Sequence, residues 1–264
     1  MKIQNHSPRK RFGQNFLINH AIIDSILQII QAQPDDPFIE IGPGLGALTY
    51  PLLHHLKHLT VIELDRDLIP LLQAKADAHR GSWGALQILH QDVLKADWSA
   101  LLSQCHKTRI IGNLPYNIST PLLFLLFGYA SHIQDMHFML QLEVVERLAA
   151  SPHSKTYGRL SVIAQALCEV ELRLIVPKES FNPIPQVTSA IVKLTPKALL
   201  PSLETLKRLE ALTHLAFHQR RKQLKNTLGS QIALEKLEQL GINPQDRPEN
   251  VSVAQYVQLA EISI

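Results

Sequence analysis

The sequence predicts an α/β fold: an open, mostly parallel sheet with helices on both faces, followed by a small all-helical C-terminal domain. Three observations carry this prediction. Short apolar runs rich in β-branched residues alternate with helically spaced leucines through the first two-thirds of the chain. Strand signals stop near Pro196. The 264 residues, 45% hydrophobic and 19% charged, form an ordinary globular composition that supports one large core and a satellite.

The elements follow in order. Met1 to Leu17 is polar, carries Lys2, Arg9, Lys10 and Arg11, and has no apolar stretch behind those charges. It therefore lacks the pattern of a signal peptide, and the expectation is a cytoplasmic protein. Predicted strands are 38–41, 59–63, 86–89, 109–112, 137–140, 170–176 and 190–194. Between them lie helical spacings such as Leu68, Leu71, Leu72 and Ala76. Pro196-Lys197-Ala198-Leu199-Leu200-Pro201 reads as a linker. After it, Leu203, Leu206, Leu209, Leu212 and Leu215 mark a helix, and further helical patterns cover 224–228, 232–240 and 251–260. The predicted domains are 1–197 and 198–264.

Composition excludes several classes. No uncharged apolar run approaches the ~20 residues of a membrane-spanning helix. Cys105 and Cys168 are too few and too far apart for a disulfide framework or a paired-cysteine metal site, and read as small buried residues. His54, His55 and His58, among 13 histidines, have no acid or cysteine array beside them, so they read as a polar helix face and no metal is expected. The formal charge of +3 says little by itself; its placement matters.

Chemistry concentrates at the ends of predicted strands. Glu40-Ile41-Gly42-Pro43-Gly44-Leu45-Gly46 follows the first strand. Glycines there let the backbone turn tightly and approach a ligand, although a plain glycine-rich turn fits the same spacing. The next strand ends in Glu63-Leu64-Asp65, where a carboxylate is placed to accept both hydroxyls of a ribose. The third ends in His90-Gln91-Asp92, where an acid either accepts from an adenine amino group or caps a helix. Together they outline a nucleoside-shaped pocket at the carboxyl ends of adjacent strands.

The fourth strand ends in Asn113-Leu114-Pro115-Tyr116. The exocyclic nitrogen of adenine is a weak nucleophile because its lone pair is delocalised into the ring. An amide oxygen from Asn113 and the Leu114 carbonyl, accepting its hydrogens, would free that lone pair and stabilise developing positive charge. Pro115 fixes the backbone and Tyr116 offers a ring to stack on the base.

These motifs resemble those of S-adenosylmethionine-dependent adenine-N6 methyltransferases. With Arg11-Phe12-Gly13-Gln14-Asn15-Phe16-Leu17, Phe181-Asn182-Pro183-Ile184-Pro185-Gln186-Val187-Thr188-Ser189 and Phe217-His218-Gln219-Arg220-Arg221-Lys222, the chain resembles the ribosomal RNA adenine dimethyltransferase family along its whole length, in particular the bacterial small-subunit branch linked to kasugamycin resistance. Gln91 and Val93 depart from the glycine and alanine frequent in that family. The resemblance implies a Rossmann-like class I methyltransferase domain using S-adenosyl-L-methionine as methyl donor. It implies cofactor contacts from Asn15, Leu17, Gly42, Gly44, Glu63, Asp92 and Asn113. It also implies catalytic roles for Asn113, Leu114, Tyr116 and Phe181, with Phe181 stacking on the target adenine opposite Tyr116. The implied reaction dimethylates two adjacent adenosines near the 3′ end of 16S rRNA, late in small-subunit assembly.

Such a transfer needs no general base, because the amine loses its proton after alkylation, when it is strongly acidic; alignment carries the catalysis. Lys10 and Arg11, and a second cluster of Arg220, Arg221, Lys222 and Lys225, are candidate phosphate contacts, with Leu224 and Leu228 expected to face inward. The expected partners are the small subunit and its rRNA, with the protein acting as a monomer. Three other readings share parts of the pattern: a DNA or large-subunit rRNA adenine methylase, an assembly factor without catalysis, and a small-molecule methyltransferase.

Overall fold

The computed structural model describes residues 13–103, 107–229 and 231–262. The chain opens with β1 (Phe16–Leu17) and α1 (His20–Ile30). Helix α1 begins where the Asn19 side chain accepts the Ile22 N–H, and buries Ile23, Ile26 and Ile30 along one stripe. It stops at Gln31, whose backbone is left-handed and whose N–H returns to the Leu27 carbonyl. Then follow β2 (Phe38–Ile41), α2 (Thr49–Leu53), β3 (His58–Glu63), α3 (Ile69–Ala78), β4 (Ala85–His90), α4 (Trp98–Ser103), β5 (Thr108–Asn113), α5 (Ser119–Phe127) and β6 (Ile133–Gln141). Next come α6 (Leu142–Leu148), α7 (Arg159–Leu167), β7 (Cys168–Val176), β8 (Phe181–Asn182) and β9 (Ser189–Pro196). Helices α8 (Leu203–His218), α9 (Leu224–Thr227), α10 (Leu234–Gln239) and α11 (Val253–Ile262) complete the described chain.

All seven predicted strand runs lie in one seven-stranded sheet of order β4-β3-β2-β5-β6-β9-β7. Strands β4 to β6 are parallel and β9 joins β6 antiparallel. The central strands β2 and β5 are buried on both faces, which is why they read as continuous apolar runs. The chain builds outward from β2 to β4, then returns to place β5 on the other side of β2. That reversal is the switch point where open α/β sheets bind ligands. The sequence did not predict β1 and β8, which pair antiparallel with Leu17 opposite Phe181. Two-residue strands carry no periodicity to read.

At the amino ends of the strands, Arg109 holds several elements together. Its Nε and Nη2 reach the two oxygens of Asp135 at 2.9 Å each, Nη1 reaches Asp36 at 2.8 Å, and Nη2 also donates to the Ile30 carbonyl at 2.7 Å. One guanidinium thus ties the end of α1, the approach to β2, and strands β5 and β6.

Contacts divide the chain into two compact units, Met1–Leu142 with Glu171–Thr195, and Glu143–Val170 with Pro196–Ile264. This division by contacts differs from the sequence division at 197/198 in grouping 143–170 with the C-terminal helices, although Cys168 already begins β7 of the sheet. Helix α7 packs against α8 and α11, so that stretch joins the C-terminal helices. The linker near Pro196 lies where the sequence places it, with Leu199 exposed. In the second unit Tyr157 and Tyr256 are fully buried and donate to the carbonyls of Val251 and Pro248 at 3.0 and 2.9 Å. The Phe217 ring lies against both. Leu224 and Leu228 face inward as expected. Cys168 is buried and its thiol is pushed up to about 12 by burial; Cys105 lies outside the described residues.

Candidate cofactor and base site

A cavity of about 680 Å³ opens at the carboxyl ends of β2, β3, β4 and β5. Its walls include Asn15, Leu17, Gly42, Gly44, Glu63, Asp92, Asn113, Leu114 and Tyr116. Residues far apart in sequence therefore meet in one place, because parallel strands deliver their following loops to the same edge.

The glycine turn is built for close approach. Gly44 has φ of +59°, and its N–H donates to Glu63 Oε2 at 3.3 Å. Gly46 has φ of +82°, and a Cβ there would lie 2.2 Å from the Tyr50 ring, so no other residue fits. The helix after this turn, α2, begins only at Thr49 and is five residues long. The loop backbone and the acids therefore dominate this wall.

Two carboxylates are buried beside the turn. Glu63 Oε1 accepts the Asp65 N–H at 2.7 Å. Burial raises the Glu63 carboxyl pKa, and those backbone donors only partly oppose the rise. The two oxygens accept from the backbone N–H groups of Gly44, Leu64 and Asp65 and keep acceptor capacity for a ligand hydroxyl. Glu40, on β2, accepts from Thr49 Oγ1 at 2.6 Å and is pushed up to about 8, first by burial and then by the neighbouring Glu63 charge. Among the described residues no lysine or arginine pairs with either acid. Glu40 is an addition to the sequence-predicted site. Its signal was a glutamate inside an otherwise apolar strand, Phe38-Ile39-Glu40-Ile41.

Asp92 caps the short turn Val93–Lys95, its Oδ1 accepting the Leu94 N–H at 3.0 Å, and the residue also lines the cavity. Asn113 Nδ2 donates to the Asn15 carbonyl at 3.0 Å. A carbonyl only accepts, so this bond fixes the amide orientation and leaves Oδ1 as the acceptor at the cavity wall. The Leu114 N–H is used by the Met139 carbonyl at 3.2 Å, which holds the Asn113-Leu114 peptide in register with β6. Tyr116, half-buried, shares a hydrogen bond of 2.9 Å with the buried Ser189 Oγ. The segment before β1 is clipped in place as well, by Gln14 Nε2 donating to Asp65 Oδ2 at 2.9 Å. Neither Ser189 nor Gln14 gave a local signal for these long-range bonds.

Two predicted residues fall elsewhere. Phe181 is only 2% exposed and packs in the core with Leu17, Ile23 and Ile191, away from the cavity wall. Its pairing with Leu17 and its apolar ring draw it inward. Arg220, read as a phosphate contact, pairs with Glu249 at 2.9 Å and donates to the Ser154 carbonyl at 3.2 Å, bonds internal to the second unit. Arg221, Lys222 and Lys225 are exposed. Lys10 and Arg11 lie outside the described residues. His54, His55 and His58 are exposed, with the His54 ring 4.9 Å from that of Trp83. Among the described residues no three His, Cys, Asp or Glu side chains are grouped to hold a metal, and no helix is long and apolar enough to cross a membrane.

The residues present fit S-adenosylmethionine. Glu63 suits vicinal hydroxyls, among the described residues neither buried acid has an ion-pair partner to displace, and the cavity exceeds the volume of one nucleoside.

The family model for ribosomal RNA adenine dimethylase matches residues 5–264. A ribosomal RNA small subunit methyltransferase A from Pectobacterium atrosepticum is 52% identical over 259 residues, covering 97% of this chain and 94% of that protein. A protein of the same name from Yersinia pestis is 51% identical with the same coverage. Among solved structures, a dimethyladenosine transferase from Plasmodium falciparum superposes with a TM-score of 0.78 at 25% identity, covering 92% of this chain and 95% of that one. The 23S rRNA methyltransferase ErmE gives 0.71 at 26% identity, covering 94% and 98%.

Proposed function

Because the chain belongs to the ribosomal RNA adenine dimethylase family, we propose that it transfers methyl groups from S-adenosyl-L-methionine to N6 of two adjacent adenosines near the 3′ end of 16S rRNA, giving N6,N6-dimethyladenosine. The observation that carries this reading is the convergence of Asn113, Leu114 and Tyr116 with the glycine turn, Glu63 and Asp92 on one cavity. The naming of relatives about half identical over nearly the whole chain supports the small subunit as substrate.

Glu63 holds the ribose, Asp92 the cofactor adenine, and Asn15, Leu17, Gly42 and Gly44 the rest of the cofactor. When bound, the cofactor supplies a methyl group already activated by its sulfonium centre. Asn113 Oδ1 and the Leu114 carbonyl accept hydrogens from the target amine and stabilise the positive charge that grows on it. Tyr116 stacks on the base, which must leave its helix or loop to enter. Exposed Arg221, Lys222 and Lys225 contact RNA phosphates, as do Lys10 and Arg11. The protein works as a cytoplasmic monomer in late small-subunit assembly.

The test is transfer from labelled S-adenosylmethionine into unmodified small subunits, with large-subunit RNA and DNA alongside and the nucleosides read by mass spectrometry. Dimethyladenosine confined to the small subunit is expected. Product in the other substrates, or salt-sensitive docking without transfer, overturns the reading.

A further inference from the structure

The bond between Tyr116 and Ser189 has no part in the function described above. It joins a ring on the cavity wall to a side chain fully buried at the start of β9. The Tyr116 backbone is already fixed at its other end: the Ile118 N–H returns to the Pro115 carbonyl at 3.1 Å, and Ser119 Oγ donates to the Tyr116 carbonyl at 3.1 Å. Ser189 is fixed in turn, since it pairs with Gln141 of β6 and the neighbouring Thr188 carbonyl accepts the Leu142 N–H at 3.0 Å. The ring is therefore held at the backbone and at the phenol tip, and cannot swing about its side-chain torsions without breaking the Ser189 bond.

The chemistry of two successive transfers makes this restraint unequal in its effect. Each transfer forms one N–C bond and breaks the S–C bond of a sulfonium methyl donor, whose electron pair stays on sulfur, while the nitrogen releases one proton to water. Before the first transfer the amine presents two N–H groups to two acceptors, Asn113 Oδ1 and the Leu114 carbonyl. Before the second it presents one. Half of the polar alignment is then gone, and the stacked ring must supply more of the orientation.

We infer that Ser189 is a positioning residue, acting through Tyr116, whose effect falls mainly on the second methyl transfer. The inference rests on the reading of Tyr116 as the platform for the target base. It assigns to a buried serine, outside the cavity wall, a share in deciding between mono- and dimethylated product.

The experiment follows both products over time in unmodified small subunits, for wild type, Ser189→Ala, Tyr116→Phe, the double variant, Ser189→Thr and Tyr116→Ala, with melting temperature and S-adenosylmethionine affinity measured beside them. Tyr116→Phe removes the same bond at a half-buried position without adding volume. Expected for Ser189→Ala and Tyr116→Phe is a second transfer slowed on the order of tenfold and a first transfer slowed less than about threefold, so that monomethyladenosine accumulates. The double variant matches the single ones, because both remove one interaction. Ser189→Thr, which keeps the hydroxyl, restores the wild-type ratio, and cofactor affinity is unchanged throughout. Wild-type product ratios in both single variants, equal slowing of both steps, or additive losses in the double variant overturn the inference. Tyr116→Ala separates the two levels. If it transfers like wild type, the platform reading itself falls; if it is inactive while Ser189→Ala and Tyr116→Phe behave as wild type, only the role of Ser189 falls.

Discussion

At the amino ends of β5 and β6, the buried Arg109 lies between the carboxylates of Asp36 and Asp135. At the carboxyl ends of β2 and β3, Glu40 and Glu63 are buried as deeply, yet among the described residues their partners are a threonine hydroxyl and backbone N–H groups, with no cation opposite. The consequences differ in sign. Asp36 and Asp135 raise the Arg109 pKa against the effect of burial, so its charge is kept. Burial raises the pKa of both glutamates, so their charge is resisted. Charge balanced inside the protein closes the scaffold. Acids left without an ion-pair partner lie at the end where the cavity opens, and that end is the candidate cofactor site.

The comparison breaks if substitutions at the two ends behave alike. The largest expected effect is at the site: Asn113→Ala lowers transfer into small subunits by on the order of 10³-fold, because an acceptor aimed at developing charge is lost. Its melting temperature stays within about 2 °C of wild type, since no buried charge is orphaned. At the opposite end, Asp135→Ala leaves Arg109 with one carboxylate and costs about 3 to 5 kcal/mol in urea unfolding. The folded fraction binds cofactor normally.

The next effect is in pH. His137 is buried, with its Nδ1 3.7 Å from Asp135 and, among the described residues, no hydrogen-bond partner on either ring nitrogen, and burial pulls its pKa down to about 4. The unfolded chain takes up that proton near pH 6.5, before the folded one does. Stability is thus full above pH 6.5 and is lost as pH falls towards 4, by about 3 kcal/mol. Urea unfolding at pH 7 and pH 4.5 measures it, and His137→Leu removes that share of the slope.

The smallest stability change belongs to Glu63→Gln. A carboxyl whose pKa is raised by folding opposes stability once pH exceeds its unfolded value. The amide relieves that penalty, but its NH2 cannot accept the backbone N–H that one Glu63 oxygen accepts, so the two effects oppose and stability at pH 7 changes by less than about 1 kcal/mol in thermal melting, while cofactor affinity drops about tenfold as a charged acceptor is lost.

Most of the scaffold was legible because strands buried on two faces must be continuously apolar, as Arg109-Ile110-Ile111-Gly112 shows. The cavity wall was legible because parallel strands bring their terminal loops to one edge. Long-range pairing was not. Arg220 looks like its exposed neighbours Arg221 and Lys222 until Glu249 is found beside it. Phe181, which the family resemblance places on the target adenine, is drawn into the core by the pairing of β8 with β1. Helix α7 has no composition that distinguishes it from a sheet-covering helix, and only its packing on α8 and α11 assigns it to the second unit.

Calorimetric titration of S-adenosylmethionine into wild type, Glu63→Gln and Asp135→Ala, each under conditions where it is folded, tests the contrast between the two ends most directly. The account predicts one site in the wild-type protein, binding weakened about tenfold by Glu63→Gln, and unchanged affinity in Asp135→Ala. No binding by the wild type, or equal loss in both variants, would contradict it.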